Sequence, residues 1–137
     1  MAPPTGIVPD TGMSIHHIDG VCDILDKQPG FWVVNKKSGI DFHADQGTPG
    51  LINHLNHAFP AESFLPVHRL DKDTSGLLLV ARSPEAAQQL STLFAEQQIR
   101  KFYLALSDKK PKKKQGWVIG DMAKSRNGNW KLLQSKK

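Results

Sequence analysis

The run His68-Arg69-Leu70-Asp71-Lys72-Asp73-Thr74-Ser75-Gly76 meets Leu77-Leu78-Leu79-Val80-Ala81 without a break. A dense polar stretch abutting an apolar one restricts what the chain can become. The apolar run reads as a buried strand, closed by Arg82-Ser83-Pro84. The polar run then sits at the mouth of a core strand. Asp, Thr, Ser and Gly favour tight turns through side-chain-to-backbone hydrogen bonds, which accounts for part of it. Turn chemistry does not explain why His68 and Arg69 precede a carboxylate. On an extended backbone Arg69 and Asp71 share a face. A plain ion pair and a phosphate- or base-contacting guanidinium are both open readings there.

A chain of 137 residues is one domain by length. Its 39% hydrophobic and 23% charged residues place it with globular rather than disordered chains. No apolar run approaches the length of a membrane span. The start, Met1 to Gly6, has neither a basic region nor a long apolar one, so it does not read as a secretory signal. A single cysteine, Cys22, rules out an internal disulfide framework and suits a reducing, cytoplasmic setting. Beside Val21 and Ile24 it reads as a small core residue. Residues 1–14, rich in Pro and Gly, read as a flexible leader, with the folded part over 15–137.

The net charge of +5 is unevenly spread. Residues 101–137 carry eleven Lys or Arg against two acids; residues 1–100 carry seven against eleven. That asymmetry points to a polyanionic partner near the C-terminal part, with Lys112 and Lys113 in its lysine run as phosphate contacts. A solvated loop is the plainer reading of the same run.

In chain order, Val21 to Asp26 and Phe31 to Lys36 read as two strands around the Gln28-Pro29-Gly30 turn. Residues 40–47 form a loop. Thr48 reads as an N-cap with Pro49 at the first helical position, and Leu51, Ile52, Leu55, Ala58 and Phe59 recur at helical spacing. His54, His57 and His43 show no convergent ligand pattern, and no metal is expected. Ser83-Pro84-Glu85 opens a second helix whose buried stripe is Ala86, Ala87, Leu90, Leu93 and Phe94. Arg100 to Ser107, Trp117 to Ile119 and Trp130 to Leu133 read as further strands, with a turn at Asn127-Gly128-Asn129. The order predicts an α+β fold with a mixed, largely antiparallel sheet and two helices.

The nine-residue run resembles the signature of the RluA-type pseudouridine synthases, H-R-L-D-x-x-T-S-G before an aliphatic strand, at every fixed position. Lys36-Lys37-Ser38-Gly39 matches the K-x-x-G that ends a preceding strand in that family, and Lys101-Phe102-Tyr103-Leu104-Ala105 its K-x-Y-x-A motif. The resemblance implies the N-terminal portion of a catalytic domain that isomerises uridine to pseudouridine in rRNA or tRNA, as a monomer without a cofactor. Breaking a C–N glycosidic bond needs a carboxylate at the sugar carbon, and remaking it at C5 needs a base. The resemblance gives the first role to Asp71 and the second to Tyr103. The resemblance also implies that Arg69 handles the flipped nucleotide, and His68, Thr74 and Lys101 are expected to join it in RNA binding. The loop is expected to hold Asp71 partly desolvated.

One departure stands out. The family's later G-R-x-H-Q-I-R run, whose basic residue pairs with the carboxylate, has no counterpart here. The isolated chain is therefore expected to bind RNA weakly and to turn over little or not at all. A calcium loop is excluded: counted from Asp71, the twelfth position is Arg82 rather than a bidentate Glu. A non-catalytic RNA-binding module using the basic C-terminal part is the alternative in a different class.

Overall fold

The computed structural model describes residues 16–110, 112, 115–117, 119–125 and 129–133. The leader assigned to residues 1–14 and the lysine at 113 lie outside them. The chain divides into two units, Met1–Lys101 and Phe102–Lys137.

The first unit is built on a five-stranded sheet. Its strands are β1 (His16–Ile18), β2 (Cys22–Lys27), β3 (Phe31–Lys36), β4 (Leu65–Pro66) and β5 (Gly76–Ala81). They lie in the order β1-β2-β3-β5-β4, and every pairing is antiparallel. The fold class expected from the sequence is borne out. Two helices complete the unit, α1 (Leu51–Ala58) and α2 (Pro84–Ala95).

The period-2 rule for strands sets the core. Trp32, Val34 and Lys36 of β3, Cys22 and Ile24 of β2, and Leu78 and Val80 of β5 are buried on it. Leu51 and Leu55 of α1, with Phe42, Phe64 and Leu70 from the loops, complete the cluster. Burial pushes the Cys22 thiol up to about 11, as suits a core residue and not a nucleophile.

Helix α1 starts two residues later than the sequence suggests. Its N-cap is Gly50, whose N–H donates to Asn53 Oδ1 at 3.0 Å. Thr48 is engaged elsewhere, exchanging backbone hydrogen bonds with Asp45 at 2.7 and 3.0 Å. Gly50 is demanded by space: a Cβ there would lie 2.5 Å from the carbonyl carbon of His43 and 2.6 Å from the oxygen of Phe42.

Helix α2 has the expected cap, Ser83 Oγ accepting from Ala86 N–H at 3.1 Å, and Pro84 in its first turn. Its expected stripe is not buried. Ala86, Ala87, Leu90 and Phe94 are half-buried, and Leu93 is exposed. The helix lies against β4 and β5 at the sheet's margin, and β4 is only two residues long, so it offers little to cover the stripe.

In the second unit the only paired strands among the described residues are β6 (Met122–Lys124) and β7 (Trp130–Leu132), joined antiparallel. The sequence located β7 and missed β6. It also placed strands at Arg100–Ser107 and at Trp117–Ile119. Neither forms among the described residues. Phe102, Leu104 and Leu106 are almost fully exposed, and so are Trp117 and Ile119. β-propensity reflects packing on a pleated surface and a bonded neighbour, and among the described residues these segments have neither. Val118 and the turn residues Asn127 and Gly128 lie outside the described residues.

Candidate active site

The signature run leaves β4 and re-enters the sheet at β5. Leu70 is buried, and this anchors the run. Its neighbours on either side point out, as backbone alternation requires. Arg69 Nη2 and Asp71 Oδ1 lie 3.9 Å apart, a loose pair with side chains 65% and 85% exposed. The expected partial desolvation of Asp71 is therefore absent in the free chain: its carboxylate stands at the surface. Asp71 to Thr74 is a tight turn closed by Thr74 N–H donating to Asp71 O at 3.0 Å. Gly76, at φ +135°, lets the chain turn into β5 through a conformation other residues rarely adopt.

The loop is fastened from the other side by a residue the functional reading passed over. Lys36, at the end of β3, is fully buried. Its ammonium donates to three backbone carbonyls: Lys37 O at 3.0 Å, Ile40 O at 2.9 Å and Lys72 O at 2.9 Å. Gly39 N–H also donates to Lys72 O at 2.9 Å, and Ser38 Oγ to Asp73 O at 2.8 Å. The K-x-x-G segment thus staples the aspartate turn to the sheet. Burial lowers the lysine pKa, while Asp41, Asp73 and Asp71 oppose that shift. The signal was present in the sequence. Lys36 is two residues from Val34 and four from Trp32, on the core-facing side of the strand.

Two loops line a cleft of about 300 Å³ that includes Asp41, His43, Asp45, Arg69, Asp71 and Lys72. Lys72 Nζ lies 3.6 Å from Asp41 Oδ2 across it. The loop bearing His43 is held by Leu51 N–H donating to Asp41 O at 2.8 Å, by buried Phe42, and by the Asp45–Thr48 pair. A second hollow, about 450 Å³, lies by Trp32 at the other end of β3. Its cations are committed already: Lys27 Nζ sits 4.5 Å from the Trp32 ring centre, and Arg82 pairs with Glu62 at 2.7 Å.

The remaining expected site residues divide. His68 is half-buried and turned toward α2. Its Nε2 accepts from Leu79 N–H at 3.0 Å, and its ring stacks on Phe94 at 4.2 Å. Burial, with a smaller effect of Lys101, pushes its pKa down to about 4. The acceptor role fixes the proton of the neutral ring on Nδ1. Lys101 Nζ lies 5.8 Å from the Phe94 ring centre. Thr74 is half-buried in the turn, and Lys112 is exposed. Tyr103, 62% exposed, belongs to the second unit, whereas Asp71 belongs to the first. No group of three or more His, Cys, Asp or Glu positioned to hold a metal occurs among the described residues.

An antiparallel sheet that presents an exposed carboxylate beside a guanidinium, on a turn stapled from two sides, defines an α+β protein with an open surface site. Comparison with known families makes this specific. Residues 30–136 match the RNA pseudouridylate synthase family, and the chain belongs to it. It is 47% identical over 114 residues to an uncharacterised RNA pseudouridine synthase of Haemophilus influenzae, covering 83% of this chain and 51% of that protein. It is 37% identical over 106 residues to ribosomal large subunit pseudouridine synthase D of Xylella fastidiosa, covering 73% of this chain and 32% of that protein. The chain thus spans about half the length of the first relative and a third of the second. Among solved structures it resembles human RNA pseudouridylate synthase domain containing 4, at 33% identity and a TM-score of 0.43, over 55% of this chain and 30% of that one.

Proposed function

We propose that this chain carries the catalytic aspartate of an enzyme converting uridine to pseudouridine in structured RNA, with Asp71 as that residue. The match over residues 30–136 carries the reading, and the names of relatives such as the Xylella protein favour large-subunit ribosomal RNA over transfer RNA. The Asp71 carboxylate meets the sugar carbon as the bond from C1′ to N1 of uracil breaks, balancing the positive charge that develops there. The detached base turns, C5 bonds to C1′, the C5 proton passes to a base, the role given to Tyr103, and the freed N1 takes up a proton, so that the overall change is an isomerisation. Substrate and product have the same atoms, so no donor or cofactor takes part.

Exposure of Asp71 suits this substrate. RNA laid across the cleft excludes water from the carboxylate only when the nucleotide is in place. Arg69 and Lys72 face the phosphates, and His68 acts on the loop from behind, holding β5 through Leu79. Lys101 and Lys112 add sequence-independent attraction to phosphate. The protein acts in the cytoplasm as a monomer.

The test is single-turnover conversion. Unmodified ribosomal RNA is incubated with excess chain, and pseudouridine is mapped by carbodiimide adducts that stop reverse transcription. The wild-type chain should convert slowly, and Asp71→Asn not at all, while RNA affinity stays within about threefold. Conversion by Asp71→Asn at the wild-type rate would refute the assignment. RNA binding without any conversion, even by a chain extended to the relatives' full length, would favour the binding-module reading.

A further inference from the structure

We propose that His43 is a further substrate-contacting residue, hydrogen-bonding the uracil ring of the nucleotide that lies against Asp71. The proposal rests on reading the cleft as a uridine site, and it assigns the cleft's second wall.

The two walls differ in charge. The wall from residues 69–72 carries Arg69 and Lys72 around Asp71; the wall from residues 41–45 carries Asp41 and Asp45 and no Lys or Arg. A phosphodiester backbone therefore lies along the first wall, and the base projects toward the second. There the exposed side chains able to bond a neutral heterocycle are His43 and Asp45, and of the two only the imidazole can offer a donor as well as an acceptor. A neutral imidazole offers one donor and one acceptor, and the uracil edge offers carbonyl oxygens beside an N–H.

The wall is also built to hold a side chain in place. Phe42 is buried in the core, with its ring edge-on to His43 at 4.7 Å between centres. The backbone at residues 42–44 packs against Gly50 so closely that a Cβ would not fit. Gln46 and Gly47 both take positive φ, 45° and 81°, to close the Asp45–Thr48 turn. Such fixation is what a contact residue needs, because a loosely held group contributes little to orienting a substrate.

The test uses the 137-residue chain and two single-stranded RNA pentanucleotides, one with a central uridine and one abasic at that position. Binding is followed by amide and imidazole NMR shifts. The uridine pentanucleotide should move the His43 imidazole signals together with the amides of Asp71 and Lys72. His43→Phe, which keeps a ring but no hydrogen bond, should weaken uridine binding about fivefold, as for one neutral hydrogen bond, and leave the abasic affinity unchanged. His43→Gln, which keeps a donor and an acceptor, should recover most of the loss. Equal losses for both oligonucleotides would overturn the proposal in favour of a phosphate or ribose contact. Asp71 and Lys72 shifts without a His43 shift would overturn it while sparing the uridine site. No shift at either loop would overturn the uridine site and this proposal together.

Discussion

Replacing Lys36 by Met tests whether the staple holds the aspartate turn. The thioether side chain nearly matches the lysine stem in volume, so the perturbation is the loss of the ammonium group. Three carbonyls lose a donor, but Lys72 O keeps the Gly39 N–H. Lys37 O and Ile40 O are left without the ammonium. Each orphaned acceptor, part-buried here, costs about 1–3 kcal/mol. Against this, the ammonium no longer has to be stripped of water, a saving of a few kcal/mol at a fully buried site. The net expectation is a destabilisation of about 2 kcal/mol. With a urea slope of about 1–3 kcal/mol per molar for a small domain, the unfolding midpoint should fall by about 1 M. Tryptophan fluorescence reads it, since Trp32 is buried in the same sheet. Hydrogen exchange supplies the local test: the amides of Gly39 and Thr74 should exchange faster in Lys36→Met than a global loss of that size explains. An unchanged midpoint, or a midpoint shift with no extra exchange at those two amides, would refute the staple.

Two further outcomes follow from the same geometry. The His68 pKa is held down to about 4 by burial against an unfolded value of 6.5, so the folded state binds fewer protons between these values. Its contribution to stability is complete above pH 6.5 and is lost as pH falls toward 4; the difference in melting temperature between wild type and His68→Gln, scanned from pH 7 to pH 4, should show that slope. Gly50→Ala should destabilise the chain by about 1–3 kcal/mol, because the new Cβ meets main-chain atoms at residues 42 and 43 that cannot swing aside. Its urea midpoint checks the size, and a wild-type midpoint would show that the loop gives way instead.

Local rules were enough to read most of the first unit from the sequence. The alternation in Phe31–Lys36, the apolar run at Leu77–Ala81, the Ser83-Pro84 helix start and the Gln28-Pro29-Gly30 turn each depend on neighbours within a few residues. The signature at residues 68–76 was equally legible, because its residue types and spacing belong to one loop. Three things came only from the folded chain. Lys36 became a staple because β3 ends beside two loops far apart in sequence, 36 residues in the case of Lys72. Thr48 lost the helix cap to Gly50 because its backbone pairs with Asp45 across the loop. Asp71 stands at the surface, not in a partly dry niche, because Leu70 takes the inward direction and leaves its neighbours to solvent. Strand propensity in Phe102–Leu106 was real as composition but remained unused, since a strand exists only where another backbone offers hydrogen bonds. Sequence pattern specifies what each segment can do alone; which segments meet is a long-range result of packing, and the site is made where they meet.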